Sequence, residues 1–349
     1  MSDSVSILYL GPIEGTCLHR AEALRRLGHQ VTHIDLRNML PATPWVDRVI
    51  WNLGGQYFSA FVKPQLKKTL ANLRFDLCYV DGGELVTPGI IALLRKHAPC
   101  VINYNVDDPL GPRDGGRFAA YRLSIPYYDL LAVVREDNVQ EARQRGAQKV
   151  MRVFRSADEI AHAPRQLTAA DHKHWDCEVL FVGTYFKGRG AFLLELIQLG
   201  VPLTLRGSSW QKAPEWPQLQ KVWKGDELRG DDYAKAIQCA KVCLGLLSEE
   251  NRDLHSTRSL EIPSLGGVMC AQRTSEHLSM YVEGNEAVFW SGARECSMAC
   301  AELLSDDNHR RRIADAGHQR VKINGHYNQM ILKSILAAVG IGVPHGVCA

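Results

Sequence analysis

Short apolar runs alternating with stretches of helical period constrain this chain more than any other feature. Residues 5–10 are apolar and residues 11–16 form a tight loop. Leu18, Ala21, Leu24 and Leu27 then recur at helical spacing up to Gly28, a residue suited to ending a helix. Residues 31–34 make the next strand, closed by Asp35. The alternation returns with strands at 75–80, 100–104, 130–134 and 150–154 and helices at 89–97 and 138–145. Such a pattern predicts a parallel sheet covered on both faces. Across 157–176 the periodicity stops and Pro, Ala and His dominate, which places a domain boundary there. A second series follows, with strands at 178–182, 203–205, 242–247, 268–271 and 287–290, helices at 191–199, 233–240 and 275–281, and a helical tail from 295 to about 339. The expected division is 1–165, 171–322 and a terminal helical segment 323–349. In sheets of this kind ligands bind outside the carboxyl ends of the strands.

A length of 349 residues favours two domains, and 46% hydrophobic residues are ample for their cores. Forty-one Lys+Arg against 38 Asp+Glu leave a formal charge of +3, too small to imply a nucleic-acid or membrane partner by bulk electrostatics. No apolar run is long enough for a membrane span, and the N-terminus lacks a basic, cleavable leader, so the expected location is cytoplasmic. The ten cysteines are scattered. Cys239/Cys243 and Cys296/Cys300 each have the spacing of one helix face, and all ten, Cys348 included, read as buried thiols rather than disulfides or a zinc site.

The stretch 253–268, DLHSTRSLEIPSLGGV, follows a strand and packs a cation, hydroxyls and a carboxylate into the start of a helix. First-turn amides have no intrahelical acceptor and carry partial positive charge, which suits phosphate. Ser256 is a natural N-cap, aiming amides and the Thr257 hydroxyl at an anion. A capping box would need an acid at 259, where Ser stands, so Glu261 is not tied to the helix start. Pro263 predicts a short or kinked helix ended by Gly266 and Gly267. Glu261 can accept from a ribose diol, or Arg258 and Glu261 can simply pair on a solvated face.

A second anion loop is GTYFKGRG at 183–190, between a strand and a helix, with Lys187 and Arg189 as cations and Arg206 closing the next strand. It has Arg189 and Gly190 where a P-loop needs Lys and a hydroxyl, which argues against ATP hydrolysis. The first loop lacks the middle glycine of a dinucleotide fingerprint and carries Glu14 instead, arguing against a dehydrogenase. Glu14, Asp107 and Asp108 follow strands and are candidates for a general base; the aspartates serve equally well as turn caps. His19 and the Asp81-Gly82-Gly83 turn read as an exposed loop residue and a plain turn. His172, His174, Asp176 and Cys177 form a potential ligand group, but in the linker, and no metal is expected.

Asp253 and Glu261, separated by seven residues, with EIPSLGGVM following, resemble the E-x7-E region of GT-B glycosyltransferases. FVGTYFKGR, LRGSSW ending at Trp210 and RSLEIPSLGG resemble the C-terminal domain of the CgeB-like (spore maturation protein CgeB) group over 179–327. The resemblance implies an α/β fold of GT-B type, two Rossmann-like domains facing a central cleft, with acceptor on 1–165, nucleotide sugar on 171–322 and the helical segment 323–349 crossing back to the first domain. It implies Gly183, Thr184, Lys187, Arg189 and Arg206 near the donor diphosphate, Ser256, Thr257 and Arg258 at diphosphate and sugar, and Glu261 at the ribose. Trp210 and Trp223 become candidates to flank the base, and Asp253, shorter than the family's Glu, a candidate at the donor sugar. The implied activity is metal-independent transfer from a nucleoside-diphosphate sugar, with no other cofactor, to an acceptor hydroxyl on a saccharide, protein or small molecule. A nucleotide-sugar epimerase and a catalytically silent nucleotide-sugar-binding relative are the alternatives on the same fold.

Overall fold

The structure, a computed structural model, describes residues 4–248 and 251–342. Cys348 and the end of the expected terminal segment therefore lie outside the described residues. The chain divides into Met1–Phe154 with Asn328–Ala349, and Arg155–Tyr327. Residues 157–176 thus belong to the second unit, and within them Ala169–Trp175 is a helix whose N-cap Thr168 and third residue Asp171 form a capping box.

The first unit holds six strands: β1 (Ser6–Leu10), β2 (Gln30–Ile34), β3 (Leu77–Asp81), β4 (Cys100–Asn105), β5 (Leu130–Val133) and β6 (Val150–Arg152). They are all parallel, in the order β2-β1-β3-β4-β5-β6. Alternate residues feed two cores, as expected of a sheet covered on both faces. Leu8, Leu10, Val80 and Val133 face one; Ile7, Tyr9, Tyr79 and Ile102 face the other. That second core is completed by Leu332, Ile335 and Leu336 of the helix Asn328–Ala337, which packs beside Gly15–Arg26. The expected single helical tail is three helices, Ala293–Ser305, Asp307–Asn324 and Asn328–Ala337. Asp306 caps the second of them by accepting from the His309 amide at 2.9 Å, and Gly325 at φ 66° ends it.

The second unit has β7 (Cys177–Val182), β8 (Leu203–Arg206), β9 (Ala240–Gly245), β10 (Met269–Gln272) and β11 (Val288–Trp290) in the parallel order β11-β10-β9-β7-β8. In each sheet the chain lays its second strand on one side of the first and its third on the other. That reversal opens a crevice at the carboxyl ends of β1 and β3, and again of β7 and β9. Cys239 ends the helix Gly230–Cys239 while Cys243 lies on β9, so the expected shared helix face is not formed; Cys296 and Cys300 do share the helix Ala293–Ser305. Two helices of the first unit, Pro44–Leu53 and Ser59–Leu70, had no counterpart in the sequence reading. Among the described residues no helix is long and apolar enough to cross a membrane.

Candidate active site

At the β7/β9 crevice the chain leaves β7 through Gly183 and re-enters a helix at Arg189, after Gly188 turns at φ 87°. The loop is stitched to the one that follows β8. Gly183 N–H donates to the Arg206 carbonyl at 3.0 Å, Tyr185 N–H to the Ser208 carbonyl at 3.0 Å, and the Thr184 and Ser208 hydroxyls lie 3.2 Å apart. The two backbones approach so closely that a Cβ on Gly207 would collide with the Gly183 carbonyl.

Arg189 bridges the crevice, donating to the Thr184 carbonyl at 2.8 Å and to the Leu246 carbonyl past β9 at 3.0 Å, with its guanidinium over Phe186. From the other side, Arg258 donates Nε to the Val182 carbonyl at 3.4 Å. Two guanidiniums therefore span the point where the strand order reverses. Lys187 is exposed on the same loop. Arg206 does not join this bridge: its guanidinium lies 4.8 Å over the Trp175 ring. The expected convergence of all three cations is thus corrected to Arg189 and Arg258. Nor is the first turn of Arg189–Gln198 open on every side, since a Cβ on Gly190 would meet the Glu215 carboxylate.

The helix of the stretch 253–268 spans Arg258–Ser264, beginning one residue later than expected, with Thr257 at the N-cap and no side-chain cap bond. The Ser259 hydroxyl reaches back past the N-cap and accepts from the Ser256 amide at 3.0 Å. The chemistry of this bond fixes a longer chain of donors. Gln272 offers a carbonyl to His277 Nδ1 at 2.6 Å, so Nδ1 carries the proton. Nε2 then accepts, and the Ser259 hydroxyl, 2.7 Å away, is its donor. Burial pushes His277 down to about 4, in keeping with a neutral ring. Pro263 lacks the amide that would bond the Ser259 carbonyl, and the Tyr281 hydroxyl takes its place at 2.6 Å.

Glu261 is only 3% exposed. It pairs with Arg258, accepts from the Tyr233 hydroxyl at 2.9 Å, and has His162 Nε2 at 3.4 Å from its other oxygen. Burial would raise its pKa, but the attraction of Arg258 and His162 and the two hydrogen bonds outweigh it, holding the carboxyl below its ordinary value. The pair is therefore not on a solvated face: the acid is buried and Arg258, a third exposed and 4.6 Å over the Tyr233 ring, shields it. Asp253 is held by Arg155 at 3.0 Å and by Asn251 at 3.2 Å. Trp210 is fully buried and donates to the Gly183 carbonyl at 2.8 Å, which removes it as a base platform; Trp223 donates to the Gly207 carbonyl at 3.1 Å and packs edge-on against Trp216.

The β1/β3 crevice of the first unit holds a pocket of about 520 Å³. Glu14 and Asp107 line it; Asp108 does not. Asp108 is 3% exposed and accepts from the Gly111 amide at 3.0 Å and from Asn138 at 2.8 Å, so it is a turn anchor rather than a base. His19 is half-buried on the helix Gly15–Arg26 instead of in an exposed loop. Asp81 is more than a turn: it is buried beneath the pocket, bound by Arg20 at 2.6 and 3.0 Å and by the Tyr9 hydroxyl. Two residues the sequence did not flag sit at the pocket wall. Arg117 pairs with Glu84 and, at 3.2 Å, with Asp107, and stacks 4.6 Å over Trp51. Burial, opposed by Arg117 and aided by Asp107 and Asp114, raises the Glu84 pKa.

Among the described residues, potential metal ligands meet in two places, each with donor atoms within 4.8 Å of one another: Cys270, Cys296 and Cys300 in the core, and His172, Asp176 and Cys239. The linker group expected from sequence is thus revised, with Cys239 in the place of Cys177 and His174 edge-on to Trp175.

Residues 189–337 match the family described as Glycosyl transferase-like. The chain carries a glycosyltransferase domain. Over its length it superposes on sucrose-phosphate synthase from Thermosynechococcus elongatus with a TM-score of 0.69, at 13% identity, covering 96% of this chain and 98% of that one. A glycosyltransferase from Rickettsia africae gives 0.64 at 12% identity over 99% and 100%, and Anabaena HepE in complex with UDP-glucose gives 0.62 at 12% over 96% and 99%. The fold is that of the GT-B glycosyltransferases. Comparison with curated protein sequences found no match.

Proposed function

We propose that this glycosyltransferase moves a sugar from a nucleoside-diphosphate sugar to an acceptor hydroxyl without a metal, and that it is of the CgeB-like kind. The observation that supports this most is the pair Arg189 and Arg258 at the β7/β9 crevice, with Glu261 buried behind. In the reaction the leaving nucleoside diphosphate gains negative charge, and fixed guanidiniums stabilise it without reorganising. The diphosphate lies against Gly183, Thr184, Arg189 and Arg258, with Lys187 closing over it; Ser256 and Thr257 face the same space. Glu261 orients Arg258 and offers its remaining lone pairs to the ribose. HepE, similar in fold, is described in complex with UDP-glucose, which favours a uridine donor.

The acceptor occupies the pocket at β1 and β3, where Asp107, its side chain 39% exposed, takes the hydroxyl proton, and Glu14 is the second carboxylate in reach. Titration calorimetry with UDP, GDP and dTDP tests the donor half. Micromolar binding of one of them supports the assignment; no binding of any overturns it. Isomerisation of the donor sugar with no acceptor present would turn the reading to an epimerase.

A further inference from the structure

Away from both crevices, a groove of about 440 Å³ runs between the helices Ser59–Leu70 and Pro88–Leu94 of the first unit. Lys63, Lys67, Arg74, Lys96 and His97 line it, and none of its lining residues is acidic. Several guanidiniums elsewhere are paired with carboxylates: Arg20 with Asp81, Arg155 with Asp253, Arg273 with Glu283 and Glu295, Arg320 with Glu286. Lys63, Lys67, Arg74 and Lys96 have no carboxylate partner among the described residues. Like charges gathered along one concave surface raise the local potential and draw in a counter-charge.

The arrangement also selects the shape of that counter-charge. Lys63 and Lys67 are one helical turn apart, and Arg74 follows the end of the same helix. At about 1.5 Å of rise per residue the cations are strung over on the order of 15 Å, longer than one phosphate. Gly89 lies beside the Lys63 end, where a Cβ would stand in ordinary contact, 3.4 Å from the ammonium. We infer that this groove binds a linear polyanion, a chain of phosphate or carboxylate groups spaced a few ångströms apart. The site is separate from sugar transfer and does not depend on the function proposed above.

The test uses the whole protein with UDP present in excess, so that any diphosphate site is filled. Inorganic tripolyphosphate and a short polygalacturonate are titrated at low and at moderate salt, the first reporting phosphate chains and the second carboxylate chains. Binding of either that weakens with salt is expected. The double variant Lys67→Glu/Lys96→Glu should weaken it by at least about tenfold, because juxtaposed like charges repel. Gly89→Leu, which fills the groove without altering charge, should weaken it as well, while both variants keep the parent melting temperature and UDP affinity. Equal binding by parent and variants, binding of neither chain, or capture only by vesicles of anionic lipid would overturn the inference.

Discussion

The two crevices are built on the same plan but place their ion pairs differently. In the first, both partners are buried: Arg20 and Asp81 form a closed pair with side chains 4% and 2% exposed, while Glu14, Glu84 and Asp107 line the pocket together with Arg37 and Arg117. In the second, only the acid is buried and the cation faces outward, Glu261 at 3% against Arg258 at 33%. The first pair is spent within the protein, and the second leaves a guanidinium exposed. An exposed guanidinium suits phosphate, and a carboxylate such as Asp107 suits a hydroxyl proton. Whether the cation of the pair is left exposed, more than the strand order, separates two sheets with the same reversal.

Breaking the second pair should have the largest effect. Glu261→Ala leaves Arg258, His162 and Tyr233 around an empty buried position, and should cost about 3–5 kcal/mol of stability along with nucleotide binding. Glu261→Gln, keeping the shape, should regain most of the melting temperature and little of the affinity in titration calorimetry. Undiminished nucleotide affinity in both variants would remove Glu261 from the donor site.

In the first crevice, Asp107→Asn should lower turnover by about 10²–10⁴-fold while nucleotide affinity and melting temperature stay near those of the parent. Normal turnover would pass the role of base to Glu14. The next effect is set by pH. His277 is neutral in the fold, with its pKa at about 4 rather than 6.5, so the folded state resists a proton that the unfolded chain accepts. Its contribution is complete above pH 6.5 and declines toward pH 4, by roughly 3 kcal/mol in all. His255 and Glu276 lie close enough to share in that titration. Denaturant melts of His277→Gln should show a shallower acid slope; an unchanged slope would place the acid sensitivity elsewhere. Smallest is Asp108→Asn, which weakens the anchors to Gly111 and Asn138 and should cost about 1–3 kcal/mol with turnover per folded molecule unchanged. A turnover loss matching that of Asp107→Asn would instead make the two aspartates one functional unit.

What could be read from sequence followed the range of the interactions. The strand-helix alternation is local, and nearly every strand was legible within two residues of its bounds. Pro44–Leu53 and Ser59–Leu70 were not, for local reasons too: Trp45, Trp51 and Leu53 leave one helix apolar on its exposed side, and Pro64 lies inside the other. The capping box of Thr168 and Asp171 was present in the sequence, hidden by the Pro and His around it. Arg258 and Glu261 could be seen as neighbours, but the burial of Glu261 depends on Tyr233 and His162, far along the chain, and no spacing rule reports that. Arg117 and Glu84 stand 33 residues apart and carry no motif of their own. Conversely, the glycine loop looked like a meeting place for cations because adjacent strands end together. Arg206 leaves it by stacking on Trp175, an aromatic that strand adjacency does not reveal.

The last described helix, Asn328–Ala337, carries a consequence for the order of events. Leu332, Ile335 and Leu336 share one core with Ile7, Tyr9 and Leu24. A segment that follows the whole second unit in sequence therefore completes the first, and synthesis leaves one face of the first unit bare until the second has been made. A chain cut at residue 327 would keep Arg155–Tyr327 entire and leave that face uncovered.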